Sequence, residues 1–162
     1  MYGNILIPTD GSRAMASAIE QCFHQAELNE ATIHALYVVD IRAYMRLPEK
    51  IQKQVIHVQE QEGAHALEYF DDRATASEIE IVTEIRHGIP YEVILDYANT
   101  NGIDLIFMGT HGRTGEEKRI LGSIAEEVVC HASIPVLTVH MRVEDVERLE
   151  EDISEEQRRY IT

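Results

Sequence analysis

Short apolar runs and longer amphipathic stretches alternate from one end of the chain to the other. The apolar runs fall at residues 4–8, 32–39, 78–85, 104–108 and 135–140, and each is rich in branched aliphatic side chains. Runs of that length with few polar interruptions predict strands buried on both faces of a parallel sheet. Between them the period changes. Met15, Ala18, Ile19, Cys22 and Ala26 recur at helical spacing, as do Val93, Ile94, Tyr97 and Ala98, and later Ile124, Ala125, Val128 and Val129. A longer helix is predicted over 48–74, where Ile51, Val55 and Val58 lead into Leu67, Phe70 and Ala74. Pro90 can open the third helix because the first turn does not need its missing N–H, and Asn101-Gly102 supplies a stop. The pattern therefore predicts an α/β fold, with five parallel strands in one sheet and helices on both faces.

Length and ending refine this. The 162 residues suit one domain with a sizeable core. Residues 142–162 are charge-dense, with Val143, Val146, Leu149 and Ile153 at helical spacing, and are expected to form an acidic helical extension to a domain of residues 1–141. No apolar run is long enough to span a bilayer, and the first eight residues lack a basic start and a cleavage site. A cytoplasmic protein is expected.

Charge narrows the partners. A formal net charge of −15 argues against nucleic acid and against anionic membranes, since both require clustered Lys and Arg. The 29 acids are spread along the chain, and Lys50, Lys53 and Lys118 are the only lysines. Such an excess serves general solubility. It also fits a halophilic protein in a very salty cytoplasm, where screening over a few ångströms removes self-repulsion. In that case the melting temperature climbs steeply between dilute buffer and molar KCl, and a flat response leaves solubility alone. Cys22 and Cys130 sit on the apolar faces of predicted helices, far apart in sequence, and are expected to be reduced core residues. The eight histidines form no His-Glu-x-x-His or similar ligand pattern, so no metal site built from protein side chains is expected.

The chemistry concentrates after the fourth strand. Met108-Gly-Thr-His-Gly-Arg-Thr-Gly-Glu-Glu-Lys-Arg-Ile-Leu-Gly-Ser-Ile124 places glycines at 109, 112 and 122, and Ser123 begins a helical pattern. Gly109 and Gly112 let backbone approach a ligand without a Cβ in the way, while helix N–H groups after Gly122 and the Ser123 hydroxyl can meet phosphate oxygens. With glycine at roughly 7% of residues, this spacing arises by chance in about one chain of this length in a hundred. It is neither a Walker A loop, which ends in Gly-Lys-Ser/Thr, nor the Gly-x-Gly-x-x-Gly of a dinucleotide site.

The spacing Gly109-x2-Gly112-x9-Gly122-Ser123 instead resembles the motif of the nucleotide-binding branch of the universal stress protein family. Ile5-Leu-Ile-Pro-Thr-Asp-Gly-Ser12 is similar to that family's first strand and turn, Leu36-Tyr-Val-Val-Asp40 to its second strand end, and Gly88-Ile-Pro-Tyr-Glu92 to the start of its third helix. Residues 1–140 are covered and the acidic extension is not. The resemblance implies a Rossmann-like sheet of order 3-2-1-4-5, with the first and fourth strands adjacent where the winding reverses. It implies ATP, or ADP or AMP, as ligand. Val38 would offer backbone groups to the adenine edge, with Pro8 and Thr9 near the base, and Asp10 would address the ribose. Met108, Gly109 and Gly112 would run along the sugar and phosphates, and Gly122, Ser123 and Ile124 would donate to phosphate oxygens. Asp10 is equally a residue type that caps a turn before glycine. Arg113, with Lys118 and Arg119, would balance phosphate charge or simply be solvated. His111 has no identified carboxylate partner and is not assigned a catalytic role.

Rival readings fit less well. A phosphate-receiver domain needs a phosphorylatable Asp at the end of the third strand, where this chain has Ile85-Arg86-His87-Gly88. An ATP pyrophosphatase needs a Ser-Gly-Gly-x-Asp-Ser type loop, where this chain has Thr9-Asp-Gly-Ser12. A nucleotide-sensing stress-response regulator is the leading expectation. The alternative is a slow ATPase using Mg²⁺ or Mn²⁺ brought with the phosphates, although no residue of the loop is identified to orient the attacking water. The implied order leaves the fifth strand at an edge with Val136, Leu137 and Val139, which favours a homodimer through that strand over a monomer whose acidic extension folds back across the edge. Proline at Val139 is expected to part it.

Overall fold

Alternation along the first strand decides how the core is divided. In β1 (Asn4–Thr9), Ile5 and Ile7 point to one side of the sheet and Leu6 to the other, and all three are fully buried. The structure, a computed structural model, describes residues 1–110 and 121–140. The expectations for His111, Gly112, Arg113, Lys118, Arg119 and the 142–162 extension fall outside those residues.

β1 pairs in parallel with β2 (Thr32–Asp40), from Asn4 opposite Thr32 to Thr9 opposite Tyr37. On its other side it pairs with β4 (Leu105–Gly109) through Ile5–Leu105 and Leu6–Ile106. β3 (Ile81–Gly88) lies outside β2, and β5 (Val136–Val139) lies outside β4. The sheet is all parallel, with the expected order β3-β2-β1-β4-β5. Helices α1 (Ala16–Asn29) and α2 (Glu49–Ser77) cover the face of Ile5 and Ile7, where Phe23 stacks on Phe70 at 6.3 Å. On the face of Leu6, helices α3 (Pro90–Thr100) and α4 (Ser123–His131) bring in Ile94, Tyr97, Ala125 and Val128.

Local signals were decisive where they were strong. Pro90 occupies the first turn of α3, Asn101 caps its end, and Gly102 takes the left-handed conformation at φ 62°. The third strand departs from expectation: it starts at Ile81 rather than residue 78 and continues to Gly88. α2 runs on to Ser77, and Glu78, at φ 54°, takes the left-handed cap that turns the chain. Only β1, β2 and β4 have the deep burial expected of every strand. β3 and β5 are edge strands with one neighbour each, and Val82 and Leu137 stay more than a third exposed. Cys22 is fully buried in α1, where desolvation pushes its thiol pKa up. Cys130 is exposed, against expectation, because α4 buries only the side that carries Ala125 and Val128.

Candidate functional site

Two chain segments a hundred residues apart meet at the carboxyl ends of β1 and β4. At the first, the Thr9 hydroxyl accepts from the Gly11 N–H at 3.1 Å and Asp10 Oδ1 accepts from the Ser12 N–H at 2.9 Å. Gly11 sits at φ 72°, a conformation that glycine adopts without a Cβ penalty. Asp10 thus performs the turn-capping role open to it in the sequence, and it also lines the crevice described below.

At the second segment, the Thr110 N–H donates to the Val139 carbonyl at 3.0 Å, and the Gly122 N–H donates to the Thr110 carbonyl at 2.6 Å. That bond ties together the two ends of the glycine-rich stretch. Gly122 is the extended cap of α4 (φ −68°, ψ 157°) and, being glycine, brings no side chain of its own to this helix end. The first N–H groups of α4 therefore point at the crevice with the positive end of the helix dipole behind them.

Between these segments lies a cavity of about 480 Å³, within the range of about 300 to 1,000 Å³ usual for small-molecule sites. Pro8, Thr9, Asp10, Val38, Met108, Gly109, Gly122, Ser123 and Ile124 all line it. These are the sequence-derived candidates except Gly112 and Arg113, which fall outside the described residues. The convergence follows from the β1–β4 adjacency, because open parallel sheets form crevices where the winding reverses.

Tyr37, Asp40, Gln59, Pro90 and Ile94 also line the cavity; the first two and Pro90 lie in the family-like segments without an implied ligand role, and Gln59 and Ile94 lie outside those segments. Asp40 ends β2 and accepts from the Arg42 backbone N–H at 2.9 Å, from its Nε at 2.9 Å and from its Nη2 at 2.7 Å. The side-chain bond from Arg42 holds the Asp40 carboxyl below the usual carboxylate range. Gln59 arrives from α2, which comes close to the sheet because Gly63 rests on the Tyr37 ring. A Cβ built at Gly63 would fall 2.6 Å from that ring. Among the described residues, no group of three or more His, Cys, Asp or Glu is arranged to hold a metal ion, and no helix is long and apolar enough to cross a membrane.

Fold and site together define a doubly wound α/β protein with a ligand-sized crevice at its switch point, walled by the carboxyl ends of β1 and β4 and the amino terminus of α4. A family model described as the universal stress protein family matches residues 1–140, and the chain belongs to that family. Universal stress protein MJ0531 of Methanocaldococcus jannaschii is 37% identical over 140 residues, which span 86% of this chain and 82% of that protein. The solved structure of protein MJ0577, from the same organism, superimposes with a TM-score of 0.80 at 29% identity, over 88% of this chain and 98% of that one. Universal stress protein UspA from Lactobacillus plantarum does so with a TM-score of 0.75 at 35% identity, over 87% and 98%.

Proposed function

We propose that this protein binds ATP or a related adenine nucleotide in the crevice and acts as a stress-response regulatory module that senses the ligand. The observation that carries the reading is the amino terminus of α4, which opens on Gly122 at the crevice and is held against the end of β4 by the Gly122–Thr110 hydrogen bond. Backbone donors fixed at a helix dipole suit phosphate oxygens. The backbone of Val38 takes the adenine edge, Pro8 and Thr9 flank the base, and Asp10 turns its carboxylate to the ribose. Met108 and Gly109 line the sugar-phosphate path, while Gly122, Ser123 and Ile124 hold the phosphates. Gly112 and Arg113 extend the same path. Two proteins of this fold, 22% and 18% identical to the chain, were solved in complex with cAMP and, for the Arabidopsis thaliana protein, with AMP. The fold itself thus accommodates an adenine nucleotide. Mg²⁺ or Mn²⁺ would accompany the phosphates with few protein ligands.

Extraction of ligand from the purified protein, followed by calorimetric titration with Mg-ATP, ADP and AMP, tests the reading. Saturable binding of one of these is expected, and binding of none overturns it. Release of ADP during prolonged incubation would instead indicate the slow hydrolase.

The same reading includes a homodimer through β5. Its carbonyls at Pro135 and Val139 are taken by the Ile106 and Thr110 N–H groups, so the backbone groups of Val136 and Thr138 face outward. Proline at Val139 would therefore break the inner ladder, and Thr138 is the position that tests the edge. Leu137, Val129 and Ile124 are each more than a third exposed near this edge. Light scattering should find a dimer for the parent chain and a monomer for Thr138→Pro. A parent that is monomeric at micromolar concentration removes the dimer.

A further inference from the structure

A second groove runs along α2 and shares Gln59 with the crevice, but its other lining residues have no part in the nucleotide reading. It is lined by Ile51, Gln54, Val55, Val58, Gln59 and Glu62. Ile51 is 44% exposed and Val58 52%, and Met45, just before the helix, is 61% exposed. Ile51, Val55 and Val58 are four and three residues apart, so they form one stripe along the helix. That spacing suits the apolar face of a second helix.

Charge distinguishes the amino-terminal end of this groove from the rest of the molecule, while Glu62 lines its far end. In a chain of net charge −15, residues 41–59 carry Arg42, Arg46, Lys50 and Lys53, with Glu49 as the only acid. Asp40 clamps Arg42, and Glu49 lies 2.9 Å from Lys53 in an exposed pair. Arg46 and Lys50 keep a positive field beside the stripe. Both lysines fall in the first two turns of α2, where cations oppose the helix dipole. Carboxylates laid alongside would offset that cost.

One segment of the chain has the matching pattern. Residues 144–156 hold eight acids against the single Arg148, with Val146, Leu149 and Ile153 at helical spacing. We propose that the acidic carboxyl-terminal segment, residues 142–162, docks in cis on α2 along Ile51, Val55 and Val58, with its carboxylates beside Lys50 and Lys53. The reach is sufficient. From β5 to β2 the sheet crosses three strand spacings, about 14 Å, and α2 lies one layer, roughly 10 Å, off the sheet, a combined span of about 17 Å that seven extended residues, about 23 Å, cover. β5 also delivers the chain at the crevice end of the sheet, the end from which α2 starts.

Carbodiimide coupling on the full chain tests the docking, with linked peptides identified by mass spectrometry. Apart from Lys118, Lys50 and Lys53 are the only lysines, so the product pattern is simple. Links from Lys50 and Lys53 to acids within 144–156 are expected. In an equal mixture of ¹⁴N and ¹⁵N protein those links should join like with like. Leu149→Asp and, separately, Val58→Asp should each lower their yield about tenfold by removing one apolar contact. Val58 is exposed, so its replacement spares the core, and circular dichroism on both variants verifies the fold. The proposal is overturned if the two lysines couple only to near neighbours such as Glu49, if the links join ¹⁴N to ¹⁵N chains, or if neither substitution changes the yield in a folded protein.

Discussion

Replacing Gly109 by valine weakens adenine-nucleotide binding by more than about 100-fold, roughly 2.7 kcal/mol, while the sheet stays folded. Gly109 ends β4, pairs with Val139 and lines the cavity with backbone alone. The described glycines at positive φ are Gly11, Gly88 and Gly102, so Gly109 adopts a backbone that valine can share. The substitution acts by filling space: a branched Cβ takes the volume proposed for the sugar and phosphates. Calorimetric titration with Mg-ATP, with circular dichroism as the fold control, gives the answer. Unchanged affinity in a folded variant moves the site away from this loop.

Gly63→Val is expected to reduce both stability and affinity, although the residue touches no proposed ligand position. A Cβ at Gly63 meets the Tyr37 ring at 2.6 Å and 2.9 Å, closer than real Cβ contacts allow. Either the ring or α2 has to move. Overpacking of this kind costs about 1 to 3 kcal/mol, and at this chain length the melting temperature falls by roughly 3 to 10 °C. Glycine within a helix already carries a propensity penalty of about 1 kcal/mol relative to alanine, so the close approach outweighs an available local gain. Tyr37 and Gln59 both line the crevice, and displacing α2 alters its wall. Denaturant melts and nucleotide titration should shift together. A variant as stable as the parent would show that α2 relaxes outward at no cost.

The parts of the fold that were legible in sequence are those specified by neighbouring residues. Pro90 and Asn101-Gly102 bracket α3 because a missing donor and a permissive left-handed position act within one turn. The Asp10 turn and the Gly109 to Ser123 spacing were readable for the same reason, and the parallel order then brings them together. What escaped depends on tertiary packing. Glu78 takes a left-handed cap that its residue type does not advertise, so the α2–β3 boundary was placed three residues early. Cys130 lies on the apolar period of α4, but only one side of that helix meets the sheet. Tyr37, Asp40 and Gln59 reach the crevice through the seating of α2 and the Arg42 clamp, and neither leaves a mark at fixed spacing.

The hydrogen bond from Gly122 to Thr110 has a bearing on how this loop can vary in length. It fastens the two anchors directly, so the residues between them form a closed excursion whose ends are already in register. Lengthening such an excursion costs only the logarithmic increase in closure entropy, about 0.6 kcal/mol for each doubling. Insertions between residues 110 and 122 can therefore add or remove whole surface features while the strand end and the helix start keep their separation. The separation of the strand end and the helix start, both of which line the crevice, is in this way insulated from the number of residues between them.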